Sequence, residues 1–119
     1  MRLIFFVSVD PATDAMAVAS AFRLAATAAG AELAAEVRLA GAAVLVADPA
    51  YAATVPDAER LRAEIDGSAR SGATVSVCPR SVQARGITAD QVAALGARPR
   101  PLTEILTEVA TGQSFLVHL

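Results

Sequence analysis

The chain holds one cysteine, Cys78, one histidine, His118, and ten basic residues that are all arginine. Cys78 closes the run Ala73-Thr74-Val75-Ser76-Val77 and is followed at once by Pro79, with Arg80 and Arg85 downstream. The alternation of Val, Ser and Val in a β-branched stretch predicts a strand. Pro79 suits the first turn of a following helix, where its missing N–H costs nothing. A thiol at a strand's carboxyl end, beside a helix N-terminus and two arginines, ionises more readily than a free cysteine. The thiolate is the nucleophile, so Cys78 is the candidate reactive group. The plainer alternatives are that Cys78 packs as a small hydrophobe, that Arg80 faces solvent and that Arg85-Gly86 ends a helix.

Other chemistry has little support. Cys78 and His118 lie forty residues apart, which matches no metal-ligand spacing. They would form a nucleophile–base pair only if their strands were neighbours. Neither phosphate-loop pattern, G-x-x-x-x-G-K-[ST] or G-x-G-x-x-G, is present, so a dinucleotide cofactor is not expected. The net charge is −2, with the arginines scattered and no aromatic residues interleaved, which disfavours nucleic acid as a partner. Hydrophobic residues make up 55% of the chain, yet no apolar run is long enough to span a bilayer. The opening Met1-Arg2-Leu3-Ile4-Phe5-Phe6-Val7 stops at Asp10-Pro11 with no small-residue cleavage site. A buried first strand explains it better than a signal peptide. The expected compartment is the cytoplasm, where a lone thiol stays reduced.

These residues need a scaffold, and the pattern of elements supplies one. Residues 2–9 predict a strand buried on both faces. Asp10 or Thr13 caps a helix running to Ala29, with Asp14 complementing its dipole and Gly30 as its stop. Met16, Ala19, Phe22 and Ala26 share a face that should enter the core. Residues 32–39 read as a strand nearer an edge, because they alternate, and 42–47 as either strand or short helix. Residues 48–56 form a proline-bounded connection containing Tyr51. Asp57 caps a helix over 58–71, with Glu59 and Arg62 as a surface pair. After the Cys78 strand and the helix that Pro79 starts, Thr88 caps a short helix through Leu95. A very short strand over 96–100, a helix from Pro101 to about Gly112 and a strand over 114–118 complete the chain. At 119 residues this is one domain, spanning residues 1–119. Alternating strands and helices imply an α/β three-layer sandwich, a mostly parallel five-stranded sheet with helices on both faces. Ligands of such sheets bind at the carboxyl ends of the strands. Those ends fall at Ser8 to Asp10, at Ala40-Gly41 and at Cys78.

The segment Val75-Ser76-Val77-Cys78-Pro79-Arg80-Ser81-Val82-Gln83-Ala84-Arg85-Gly86-Ile87 resembles the DsrE/DsrF-like family of sulfur-relay proteins. The opening strand with its Asp-Pro turn, the long first helix ending at Gly30 and the helix before Phe115-Leu116-Val117 extend the resemblance along the chain. The resemblance implies a three-layer α/β fold, assembly into homotrimers or homohexamers, and a persulfide on the cysteine at position 78. Sulfur donor and acceptor proteins are then the implied partners; the residues themselves offer no metal site and no cofactor site. Two features depart from relatives that carry C-x-x-C. Ser81 stands where a second cysteine would, so no internal disulfide forms, and Pro79 removes a backbone N–H next to the sulfur.

The leading expectation is a cytoplasmic sulfur carrier using Cys78, with Arg80, Ser81, Arg85 and Asp10 as binding and electrostatic support. The alternative is a non-catalytic oligomeric binding or assembly module of the same fold, in which Cys78 is structural. A Cys-dependent enzyme or redox sensor acting on a small electrophile is a third reading.

Overall fold

Five short strands form the sheet of the computed structural model, which describes residues 1–119. They are β1 (Arg2–Val7), β2 (Ala34–Leu39), β3 (Thr74–Val77), β4 (Ala97–Pro99) and β5 (Ser114–His118). All pair in parallel, in the order β4-β3-β2-β1-β5. Parallel neighbours require crossover connections, and these are helical. They comprise α1 (Ala15–Gly30), a 3₁₀ segment (Gly41–Ala47), α2 (Pro49–Ala52), α3 (Ala58–Arg70), α4 (Pro79–Ala84), α5 (Ala89–Ala94) and α6 (Leu102–Ala110). The expected α/β three-layer sandwich is therefore the observed architecture. No helix is long and apolar enough to cross a membrane.

Side chains alternate across a strand, so register decides what each face buries. Val37 lies opposite Phe5 and Val75, and Leu39 opposite Val7 and Val77. These residues pack with Val18, Ala21, Phe22 and Ala25 of α1 and with Leu61 and Ile65 of α3 as the main core. Each fully buried Val, Leu or Phe contributes roughly 1.5–3 kcal/mol relative to exposure. The intervening residues Ile4, Glu36, Arg38 and Ser76 are buried on the opposite face. There α6 packs along β5, sending its buried Ile105 inward and Glu104 and Glu108 to Arg100.

Several local expectations change. β2 is the central strand, not one near an edge. Its alternation reflects two different buried faces, one apolar and one charged. The inward face of α1 runs Val18, Ala21, Phe22, Ala25 and Ala28, whereas Met16 is exposed. Asp14 is the residue that caps α1, accepting from the Ala17 N–H at 3.0 Å. Residues 42–47 fall within the 3₁₀ segment, and the 48–56 connection contains α2, capped by Asp48. Asp57 precedes α3 in a left-handed conformation, φ 60°, without a side-chain cap bond. On α3 the observed ion pair is Arg62 with Asp66 at 3.3 Å, not Glu59 with Arg62. Thr88 caps α5 in a reciprocal box with Gln91, as its spacing predicts.

Candidate functional site

The sheet delivers Cys78 to its carboxyl edge and fixes the backbone there. The Cys78 N–H donates to Leu39 O at 3.0 Å, extending the β2–β3 ladder by one bond, and its carbonyl accepts from Val82 N–H at 3.0 Å, opening α4. Cys78 is thus the last residue of strand-like pairing and the N-cap of the helix that starts at Pro79. Its side chain is partly exposed. By alternation from Val77, which faces the apolar core, Cys78 shares the face of Ser76 and Arg38.

Two opposed influences set the thiol's acidity. Partial burial raises its pKa, but the Ser81 hydroxyl, the Ser81 and Arg80 backbone N–H groups and the Arg38 charge outweigh it. The net shift is downward, toward thiolate. Pro79 removes one amide, and the next two amides of the turn act on the sulfur instead. Ser81 is itself held in place: its Oγ accepts from the Gly41 N–H at 2.8 Å. Its hydroxyl proton is then available to the sulfur. Gly41 is required for this contact. Its φ is +52°, and a Cβ there would stand 3.2 Å from the Ser8 carbonyl oxygen.

The arginine charge that acts on the thiol is not one that the sequence singled out. Arg80 and Arg85 are both exposed, and Arg80 acts on the sulfur through its main chain. The Arg85 charge acts on Asp10. Arg38, completely buried, supplies the charge at Cys78. Its Nη1 donates to Arg100 O at 2.7 Å and, more weakly, to Ser76 Oγ and Val77 O at 3.4 Å. Burial lowers the Arg38 pKa, and the neighbouring Cys78 and Glu36 counter that shift. No local signal in the sequence pairs residues 38 and 78. Only the parallel register, with Arg38 opposite Ser76, brings them together.

Behind Arg38 lies a buried ionic layer. Arg100 Nη1 donates to Glu36 Oε1 at 2.6 Å, both side chains being 1% exposed. Arg100 also donates to Glu104 at 2.9 Å and to Glu108. Ser76 donates to Glu36 Oε2 at 2.6 Å, and Arg2 reaches Glu36 Oε1 at 3.2 Å. Burial of Arg100 disfavours its charge, yet the three carboxylates hold its pKa above the ordinary value.

Asp10 sits at the end of β1, separate from the thiol's own donors. It accepts from Tyr51 OH at 2.5 Å and from Ala12 N–H at 2.8 Å, and these bonds with the Arg85 charge keep it below the usual carboxylate range. The same bond pushes the Tyr51 hydroxyl pKa up. The 48–56 connection is thereby tied to the rim of the sheet. His118 is on β5, two strands beyond β2, and stacks against Phe6 with ring centres 5.4 Å apart. A Cys78–His118 pair is ruled out by the strand order. Two hollows, about 420 Å³ beside Val77 and Pro79 and about 840 Å³ beside Leu61 and Leu95, do not include the thiol in their walls.

A family model described as the DsrE/DsrF-like family matches residues 1–117. No curated protein matches the chain. Among solved structures, YchN from E. coli superposes with a TM-score of 0.72 at 17% identity, covering 100% of both chains. MTH1491 from Methanobacterium thermoautotrophicum, a protein of unknown function, gives 0.70 at 17% identity, covering 99% of this chain and 98% of that one. BT1422 from Bacteroides thetaiotaomicron, a conserved protein of unknown function, gives 0.68 at 20% identity, covering 99% and 94%. At such identities these structures establish the fold alone. The match over residues 1–117 establishes the family: the chain belongs to the DsrE/DsrF-like family.

Proposed function

We propose that this member of the DsrE/DsrF-like family is a cytoplasmic sulfur carrier. It holds sulfane sulfur as a persulfide on Cys78 and passes it between a donor and an acceptor protein. The observation that carries this reading is the partly exposed, acidified thiol at the carboxyl edge of a parallel sheet, with Ser81, two amides and Arg38 converging on it.

In the loading step the Cys78 thiolate attacks the outer sulfur of a donor persulfide, R–S–SH. The donor's S–S bond breaks and a new one forms to Cys78. The donor leaves as thiolate and takes the proton from the new persulfide, giving R–SH and Cys78–S–S⁻. Unloading is the same exchange with an acceptor thiolate as nucleophile. No net oxidant or reductant is needed. Ser81 in place of a second cysteine means that the sulfur cannot be resolved into an internal disulfide, so release requires a partner's thiol.

Homotrimeric or homohexameric assembly fits the exposed Leu102 and Leu106 on α6 and the exposed Phe115 and Leu116 on the edge strand β5. Arg80, Ser81, Arg85 and Asp10 have unequal parts in the proposal. Ser81 and the Arg80 amide act on the sulfur, while Asp10 and Arg85 shape the neighbouring rim.

The test is sulfur uptake. Incubation with glutathione persulfide should add one sulfur to the intact mass, and Cys78→Ser should abolish it. Alkylation of Cys78 should proceed at lower pH than that of free cysteine. An ordinary alkylation profile with no sulfur uptake would reject the carrier and leave the assembly module with a structural Cys78.

A further inference from the structure

Arg38 is buried completely, yet its Nε and Nη2 have no hydrogen-bond partner. All the bonds it makes leave from Nη1. A buried donor without an acceptor is costly, and more so on a charged group. The two free donors lie along one edge of the guanidinium, the edge that grips an anion side-on. Cys78 is the neighbour that most favours the Arg38 charge, ahead of Glu36. Glu36 is engaged by Arg100, Arg2 and Ser76, and Arg100 is itself a cation.

The free edge is closed to solvent, so a dissolved ion has no route to it. An anion delivered by a side chain of the same sheet face does. Cys78 is that side chain: it follows Val77, whose carbonyl Arg38 already touches, and it shares the Arg38 face. A persulfide lengthens it by one S–S bond, about 2.05 Å, and puts a full negative charge at its tip.

We propose that the Nε–Nη2 edge of Arg38 is the receptor for the outer sulfur of the Cys78 persulfide. This deepens the sulfur-carrier reading and rests on it. The consequence is selectivity by charge. Adducts that stay anionic at this position satisfy Arg38, whereas a neutral adduct leaves it only the Glu36 charge, which Arg100 already engages. The charged groups around Arg38 are Cys78, Glu36 on its own strand and Arg100 beyond β4, so no other titrating group supplies the missing anion.

The experiment is the equilibrium of sulfur exchange between the protein and the glutathione/glutathione persulfide couple, read by intact mass. It compares wild type, Arg38→Gln and Arg38→Lys at matched near-ultraviolet circular dichroism. Arg38→Gln should lower the loading constant by about ten-fold or more, the effect of one charge-assisted hydrogen bond. Arg38→Lys should recover part of it through charge without the fork. Equal loading of wild type and Arg38→Gln overturns the Arg38 receptor and leaves the Cys78 carrier standing. Absence of loading in wild type overturns both. If Arg38→Gln does not fold, the wild-type protein decides. Its persulfide absorption band should persist to lower pH than that of glutathione persulfide, and to lower pH than in Arg38→Lys. Coincident titrations overturn the proposal.

Discussion

Removing the Arg100 side chain while keeping its length, as Arg100→Met, should expose the energetic weight of the buried ionic layer. Three carboxylates lose their cation, but they are not equivalent. Glu104 is 48% exposed and returns to solvent at little cost, below about 1 kcal/mol. Glu108, 19% exposed, retains Ser114 and the more distant Arg2. Glu36, 1% exposed, keeps only Ser76 and the partly exposed Arg2. Breaking a buried pair by removing one partner costs about 3–5 kcal/mol. For 119 residues the unfolding entropy is about 0.25 kcal/mol/K, so Tm should fall by roughly 12–20 °C. The assay is thermal unfolding of wild type, Arg100→Met, Glu104→Gln, Glu36→Gln and the double variant Glu36→Gln/Arg100→Met. Glu104→Gln should move Tm by only a few degrees. The double variant should recover a large part of the Arg100→Met loss, because Glu36, the most buried of the three carboxylates, no longer carries a charge without Arg100. A fall below about 4 °C in Arg100→Met, or a double variant as unstable as the summed singles, would refute the reasoning.

Three further outcomes follow from the site and its frame. Ser81→Ala should raise the Cys78 pKa by removing the largest of the influences that lower it, so alkylation slows at neutral pH while its high-pH plateau stays fixed; an unchanged pH profile counts against the Ser81 role. Gly41→Ala should destabilise by about 1–2 kcal/mol, since a left-handed φ disfavours Ala and its Cβ meets the Ser8 carbonyl. It should also shift the Cys78 alkylation profile, because the Gly41 N–H anchors Ser81; denaturant melts and alkylation kinetics check both. Glu108 is held below the usual carboxylate range: burial opposes ionisation, but Ser114 and Arg100 outweigh it. A depressed folded-state pKa stabilises the fold above the ordinary Glu value, about 4.3, and the contribution disappears as pH falls through the folded value. Glu108→Gln should therefore flatten the fall of Tm between pH 5 and 3, and parallel curves for the two proteins would contradict it.

The alternation of strands and helices was legible because apolar runs, prolines and glycines punctuate this chain clearly, and it led directly to the parallel sheet. What misled was β2. Glu36 and Arg38 look like solvent-facing residues of an edge strand, since charged side chains are rarely buried unless paired. Their partners, Arg100, Ser76 and Cys78, lie some forty to sixty residues away, so no local pattern announces the pairing. Cys78 itself was legible from its strand-end position and from Pro79. Ser81 was legible as a neighbour within one helical turn. Arg38 was not, because its relation to Cys78 exists only in the register of two parallel strands. Met16 was misplaced for a simpler reason: alanines cover all sides of α1, so its hydrophobic stripe has no sharp border.

The same ionic layer bears on how the chain finds its pairing. Side chains alternate with a period of two, so a slip of β2 by one residue exchanges its faces. Such a slip would thrust Glu36 and Arg38 among Phe22, Val44 and Leu61, and would set Val37 and Leu39 against Arg100 and Ser76. An all-apolar strand would lose little by slipping. This one loses its counter-ions and buries bare charges at once. The layer thus acts as a proofreading device during folding, rejecting shifted sheets before the thiol's edge is ever assembled.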